Sequence, residues 1–342
     1  MIFITGGTGL VGAHLIYDLL LVDKKIKVLR RKNSNTKKVL QTFCYYTSEE
    51  KALELYDRIQ WVEGDILDIE CLNEHISPGD TVYHCAAIIS FDPKDRERMI
   101  DDNVQGTANV VNICLEKKVK TLCHVSSSAA IGRDHASDEV TEEHAWQYHS
   151  KISAYSISKH ESEREVWRGI AEGLNAVIVN PSIILGPGDW TSGSSKIFLS
   201  IYEGLKFYTN GITGYVDVRD VVKAMQKLVE AEINSERFIL NAENVAFKDL
   251  FADIAIGLKV KAPHILAKKW MSEIVWRVEA FKSLITGSKP IITRETAFTA
   301  NKQYQFSSNK LLTSIEFSYR SVSSSVSDFC KLFLKDMSKN MH

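Results

Sequence analysis

Short apolar runs alternate along the first half of the chain with stretches whose apolar positions recur at helical spacing. Met1–Thr5, Lys25–Leu29, Ile59–Glu63, Asp80–Cys85, Thr121–Ser126 and Ala176–Asn180 read as strands. Gly9 to about Leu21, Asn103 to Lys117 and Ala154 to Ile170 read as helices, with a polar and helical insert around Ser34–Arg58. Strands and helices taken in turn predict an α/β protein built on a doubly wound parallel sheet.

After Pro181 the pattern loosens. Gly, Ser and Pro cluster in Gly186-Pro187-Gly188-Asp189 and Ser192-Gly193-Ser194-Ser195, which predicts loops around a ligand. Residues 1–180 are expected to form a cofactor domain to which 214–242 return, with 181–213 and 243–335 as a smaller substrate lobe. Trp190, Phe198, Tyr202, Phe207 and Tyr208 suit either a pocket wall or the core of that lobe. Lys268–Leu284, with Trp270, Trp276 and Phe281, reads as an amphipathic helix packed on the body, in preference to one lying on a membrane. The last residues, Lys335–His342, read as a frayed tail.

Composition narrows the function. The chain has 342 residues, 44% hydrophobic and 25% charged, with a formal net charge of −1. That balance leaves no excess of cations for a phosphate backbone, so a nucleic-acid partner is not expected. Cys44, Cys71, Cys85, Cys114, Cys123 and Cys330 are scattered without ligand spacing and read as reduced thiols of a cytoplasmic protein that binds no metal. The apolar start lacks a basic leader and is broken by glycines, so it reads as a buried strand. No uncharged apolar run reaches the roughly 18 residues of a spanning helix.

The turn Thr5-Gly6-Gly7-Thr8-Gly9-Leu10-Val11-Gly12 lies between the first strand and the first helix. Glycine at every third position suits a tight turn, close approach to a pyrophosphate and close helix–strand packing, with the helix N-terminus facing the phosphates. The second strand runs into Arg30-Arg31-Lys32 with no acid at that place, which favours NADP(H) over NAD(H), the alternative being a solvated basic turn. Gly64-Asp65-Ile66 follows the third strand, where Asp65 is placed to accept from an adenine amino group. His84-Cys85-Ala86-Ala87 ends the fourth with small side chains suited to a cofactor, and His84 itself reads as packing.

Tyr155 and Lys159 share one helix face. A free phenol titrates near pH 10, and the adjacent ammonium, together with an oxidised nicotinamide ring, is expected to lower that value. Tyr155 would then exchange a proton with a carbonyl or alcohol oxygen. Ser126-Ser127-Ser128 closes a strand where open sheets present ligands, offering a hydroxyl to a developing alkoxide.

These motifs, with Asn103-Val104-Gln105-Gly106-Thr107, Asn180–Gly188 and Val216–Val221, resemble the extended short-chain dehydrogenase/reductase family nearly end to end. The branch most resembled is that of dihydroflavonol 4-reductase, cinnamoyl-CoA reductase and 3β-hydroxysteroid dehydrogenase, to which Lys289–Thr293 and Phe317–Val322 also bear a likeness. The resemblance implies a Rossmann-type fold and an NAD(P)-dependent enzyme acting on a small-molecule substrate. It implies Ser127 as the active serine, counted back from Gly132, with Ser126 and Ser128 as alternatives. It further implies that Lys159 holds the nicotinamide ribose, that Asn103 steadies a water or the active lysine through its helix, and that Pro181 and Ser182 lie along the nicotinamide. Asn180 departs from the arginine that many members carry before the proline. A homodimer through the helices at Asn103–Lys117 and Ala154–Ile170 is an expectation from the same source. Three functions stay open: an NADP(H)-dependent carbonyl reductase or alcohol dehydrogenase, a nucleotide-sugar epimerase or dehydratase with tightly held cofactor, and a cofactor-binding protein without catalysis.

Overall fold

The computed structural model describes residues 1–90, 92–132, 139–148, 152–268, 271 and 301–339. Of the expected helix Lys268–Leu284, all but Lys268 and Met271 lie outside the described residues, as does Lys289–Thr293.

Seven parallel strands form the central sheet: β1 (Ile2–Thr5), β2 (Ile26–Arg30), β3 (Gln60–Glu63), β4 (Thr81–His84), β5 (Thr121–Val125), β6 (Ala176–Pro181) and β10 (Glu236–Leu240). Their spatial order is β10-β6-β5-β4-β1-β2-β3. Phe3 and Ile4 are both fully buried although they point to opposite faces, because helices cover the sheet on each side. One face packs under α1 (Leu10–Leu21) and α8 (Val218–Glu230), with Leu15, Ile16, Val221 and Met225 in its core. The other packs under α4 (Ile69–His75), α5 (Arg96–Lys117) and α6 (Ala154–Ala171), through Leu72, Val110, Val111 and Val166. Winding outward in both directions from β1 and β4 leaves a crevice at their carboxyl ends.

A second layer holds the three-stranded sheet β11-β9-β7 (Glu243–Ala246, Ile212–Asp217, Ile183–Leu185) and the pair β8 (Phe207–Tyr208) and β12 (Ile265–Leu266). It shares a core with α7 (Lys196–Tyr202), α9 (Phe247–Leu258) and α11 (Val322–Lys339), preceded by the short α10 (Asn309–Ser314). Trp190 and Phe198 are buried in this core.

The insert after β2 forms α2 (Lys37–Cys44) and α3 (Glu49–Asp57). Two element bounds differ from expectation. Helix α5 begins at Arg96, well before Asn103, because a charged first turn with buried Met99 extends it beyond the obvious apolar stripe. The expected frayed tail is helical through Lys339, since Asp336 anchors it by accepting from Trp190 Nε1 at 2.9 Å, Tyr45 Oη at 2.5 Å and Gln41 Nε2 at 3.2 Å.

Candidate active site

Gly6 follows β1 at φ +70°, and a Cβ there would stand 2.5 Å from the Ala86 nitrogen. A Cβ on Gly12 would stand 2.3 Å from the Gly6 oxygen. The turn is therefore folded against the loop after β4 as closely as backbone permits. Gly9 opens α1, which no side chain among the described residues caps and whose first turn holds no acid. Its first N–H groups are thus left for an anion, which fits the pyrophosphate of a dinucleotide. Leu10 packs its side chain toward Gly186, and Val11 is buried in the core under α1.

Thr5 holds the floor of the crevice together. Its Oγ1 shares a hydrogen bond with His84 Nδ1 at 2.6 Å and accepts from the Ala86 N–H at 3.3 Å. His84 Nε2 reaches Thr107 Oγ1 at 3.1 Å. Burial, aided by the Lys159 charge, pushes the His84 pKa down to about 3, so this imidazole is neutral and structural. Burial also pushes the Cys85 thiol up to about 12, which keeps it protonated.

Beyond the carboxyl ends of β2 and β3, Arg31, Lys32, Asn33, Ser34, Glu63, Gly64 and Asp65 line a cavity of about 470 Å³. Asp65 Oδ1 accepts from the Leu67 N–H at 3.1 Å, closing the turn after β3. Ile66 packs onto Gly106 of α5. The end of β2 itself carries no acid, but Arg30 there meets one. Arg30 and Glu63 are register partners of the parallel pair β2–β3, and their side chains form an ion pair at 3.5 Å. The acid comes from the neighbouring strand, where inspection of β2 alone could not find it.

Ser127, Tyr155 and Lys159 converge beyond β5. Ser126 and Ser128 are buried, while Ser127 stays partly open and extended. Ser126 donates to Glu163 Oε2 at 2.6 Å and is thereby committed. Ser127 is hydrogen-bonded to the half-buried Tyr155 phenol, which singles it out among the three hydroxyls. Lys159 Nζ donates to the Val125 carbonyl oxygen at 2.9 Å. Burial lowers its pKa to about 8, against the raising influence of Cys85 and Glu163.

One expectation is corrected by this geometry. The Tyr155 phenol titrates above its ordinary value, because burial outweighs the Ser127 hydrogen bond and the Lys159 ammonium is turned to Val125. Asn103 meets the lysine helix at Ser158, the residue before Lys159. Its Oδ1 accepts from the Ile88 N–H at 2.7 Å, and its Nδ2 donates to the Ile88 carbonyl at 2.9 Å and to Ser158 Oγ at 2.7 Å. It is a clamp between the loop after β4 and α6. Pro181 ends β6 buried, and Ser182 is held by Leu240, whose carbonyl accepts from both its N–H at 3.0 Å and its Oγ at 3.1 Å. Ser194 and Ser195 likewise bond within their own loop, to the carbonyls of Ile184 and Gly186.

Sequence reasoning missed Glu63 and the buried Glu163. Glu163 follows Lys159 by four residues on α6, a spacing that placed it on the same face.

A glycine cradle at a helix N-terminus, at the switch point of a doubly wound sheet, with serine, tyrosine and lysine converging beside it, defines a dinucleotide-dependent enzyme of the short-chain type. The pattern of the NAD dependent epimerase/dehydratase family matches residues 2–241, and the chain belongs to that family. It is an NAD(P)-dependent oxidoreductase of the extended short-chain class. It is 27% identical over 332 residues to the "Putative dihydroflavonol 4-reductase" of Synechocystis, covering 95% of this chain and 92% of that one. It is 30% identical over 270 residues to cinnamoyl-CoA reductase 1 of Arabidopsis thaliana, covering 75% of each. The solved structure of gox2253 superposes with a TM-score of 0.80 at 27% identity over 98% of both chains. A UDP-N-acetylglucosamine 4-epimerase from Methanobrevibacter ruminantium shares the fold, with a TM-score of 0.75 at 18% identity over 98% of both chains. Among the described residues no helix is long and apolar enough to cross a membrane.

Proposed function

We propose that the protein is an NADP(H)-dependent reductase of a small to medium organic carbonyl compound. The observation that carries this reading is the convergence of Ser127, Tyr155 and Lys159 at the carboxyl end of β5, beside the glycine cradle. Bound in the crevice, a reduced nicotinamide would supply hydride to the substrate carbonyl carbon. Gly6–Gly12 and the α1 N-terminus would hold its pyrophosphate, Arg30 and Arg31 a 2′-phosphate, and Lys159 the ribose hydroxyls.

Ser127 donates a hydrogen bond to the substrate oxygen and orients it toward Tyr155. A phenol whose pKa is raised by burial stays protonated at neutral pH, so Tyr155 is poised as the proton donor that carbonyl reduction requires. As negative charge grows on the substrate oxygen, Lys159 stabilises the phenolate left after transfer. The relatives described as dihydroflavonol 4-reductase and cinnamoyl-CoA reductase support the reductive direction.

The test is loss of NADPH absorbance against a panel of aldehydes, ketones and acyl thioesters, with NADH alongside. Turnover with NADPH on at least one carbonyl supports the reading. Isomerisation of a nucleotide sugar without net cofactor consumption, and no reduction of any carbonyl, would replace it with an epimerase.

A further inference from the structure

Behind the reactive groups lies a buried carboxylate. Glu163 is 2% exposed and collects four donors. Its Oε2 accepts from Ser126 Oγ at 2.6 Å and from Asn180 Nδ2 at 2.7 Å. Its Oε1 accepts from Trp167 Nε1 at 3.2 Å and from Arg237 Nη1 at 3.1 Å. The same Asn180 nitrogen donates to the Ser127 carbonyl oxygen at 3.1 Å. Arg237, from β10 at the sheet edge, also donates through Nε to the Glu142 carbonyl at 3.0 Å and through Nη2 to the His144 carbonyl at 3.4 Å.

Building on the reductase reading, we infer that Glu163 is the positioning residue of this active site: its carboxylate fixes the Ser126–Ser127 turn against α6 and, through Arg237, locks residues 139–148 to the same point. Gly132 shows how closely that segment lies on the serine loop, since a Cβ there would stand 1.8 Å from the Ala145 oxygen. Trp146 of the same segment stacks on His160 of α6, with ring centroids 4.1 Å apart. The Ser126 hydroxyl, the lysine helix and residues 139–148 are therefore held by a single side chain.

The chemistry requires an acid. Each oxygen faces two N–H or O–H donors, so an amide must point its own –NH2 at one pair. Asn180 Oδ1 is buried without a partner among the described residues, so it is available to turn toward such a group. Turning would cost the bond to the Ser127 carbonyl.

Glu163 also carries the charge that Lys159 meets. The groups facing Lys159 are His84 at the end of β4, Cys85 just after it, His124 from β5, and Tyr155 and Glu163 from its own helix. Burial keeps both imidazoles, the thiol and the phenol uncharged near neutrality, which leaves Glu163 as the anion of this set. Its removal must lower the lysine pKa, a consequence that loss of packing alone would not produce.

The experiment uses full-length Glu163→Gln and the milder Ser126→Ala, read by hydrogen exchange with mass spectrometry and by the pH profile of carbonyl reduction. Expected for Glu163→Gln is about tenfold faster exchange in both 126–132 and 139–148, with 1–12 unchanged. Its kcat falls about tenfold or more at unaltered KM for NADPH, and its alkaline limb moves to lower pH. Ser126→Ala loosens 126–132 only, and it carries the test if Glu163→Gln does not fold. Unchanged exchange in either segment of a folded Glu163→Gln, unchanged exchange of 126–132 in Ser126→Ala, or a rate loss with an unmoved limb overturns the inference. A wild-type protein that reduces no carbonyl defeats the reductase reading instead, and the exchange measurement on the same proteins still decides whether Glu163 couples the two segments.

Discussion

The ammonium of Lys159 donates to the carbonyl oxygen of Val125 at 2.9 Å, tying the tyrosine helix to the strand that ends in the serines. A buried cation held by a strand carbonyl has little water around it, and its pKa falls to about 8. The charged form therefore exists below pH about 8 and is lost above it. Carbonyl reduction should hold on the acid side and fall as pH rises through that value. A profile flat to pH 10 would remove the ammonium from the reaction.

The adenosine end should discriminate between nicotinamides by charge. Replacing Arg30 and Arg31 with alanine should weaken NADPH binding by roughly tenfold or more, about 1.4 kcal/mol, while NADH binding changes little. Glu63→Gln should act the other way and tighten NADPH, because it frees Arg30 from its ion pair and removes a carboxylate from the cavity. Isothermal titration with both nucleotides checks each expectation. Equal losses for NADPH and NADH would defeat the assignment of a 2′-phosphate site.

The glycine turn offers a backbone test. Gly6→Ala forces a side chain into a left-handed position and against the Ala86 backbone, with a cost of about 1–3 kcal/mol. Thermal unfolding should shift downward by several degrees, and nucleotide should no longer protect the protein. Protection retained at wild-type strength would separate this turn from the cofactor.

Stability should fall in acid for a definite reason. Burial lowers the pKa of His14 to about 4 and of His84 to about 3, and holds His124 well below its ordinary value. Between pH 6.5 and these values the unfolded chain binds protons that the folded chain refuses, so stability is lost as pH falls. His14 accounts for on the order of 3 kcal/mol and His84 for on the order of 5 kcal/mol. His124 lies tilted against His84, with ring centroids 5.2 Å apart, and neither of its ring nitrogens has a partner among the described residues. His124→Phe should leave stability at pH 7 unchanged or higher by about 1–2 kcal/mol and flatten the acid decline, as read by denaturant melts.

Local features were legible from sequence and long-range ones were not. The strands follow from short apolar runs, the glycine turn from glycine at every third position and the Tyr155–Lys159 face from a spacing of four, all of which neighbours in the chain determine. The residues alone left three serines open and the resemblance pointed to Ser127; that Ser126 is occupied by the Glu163 carboxylate is a contact only the fold shows. Glu63 meets Arg30 only through the register of two parallel strands, and Asn180, Glu163 and Arg237 meet only once β6, α6 and β10 are assembled. Asn103 sits where the family motif places it, yet its amide is spent on Ile88 and Ser158, which no spacing reveals. Burial also reversed the expected direction of the Tyr155 pKa, because desolvation depends on the finished fold.

The most direct measurement is the turnover of Tyr155→Phe beside its affinity for NADPH. With the phenol as proton donor, kcat should fall by about a thousandfold or more while the dissociation constant for NADPH stays within a few-fold of wild type. Turnover within about tenfold of wild type would contradict the account, since the proton would then come from elsewhere.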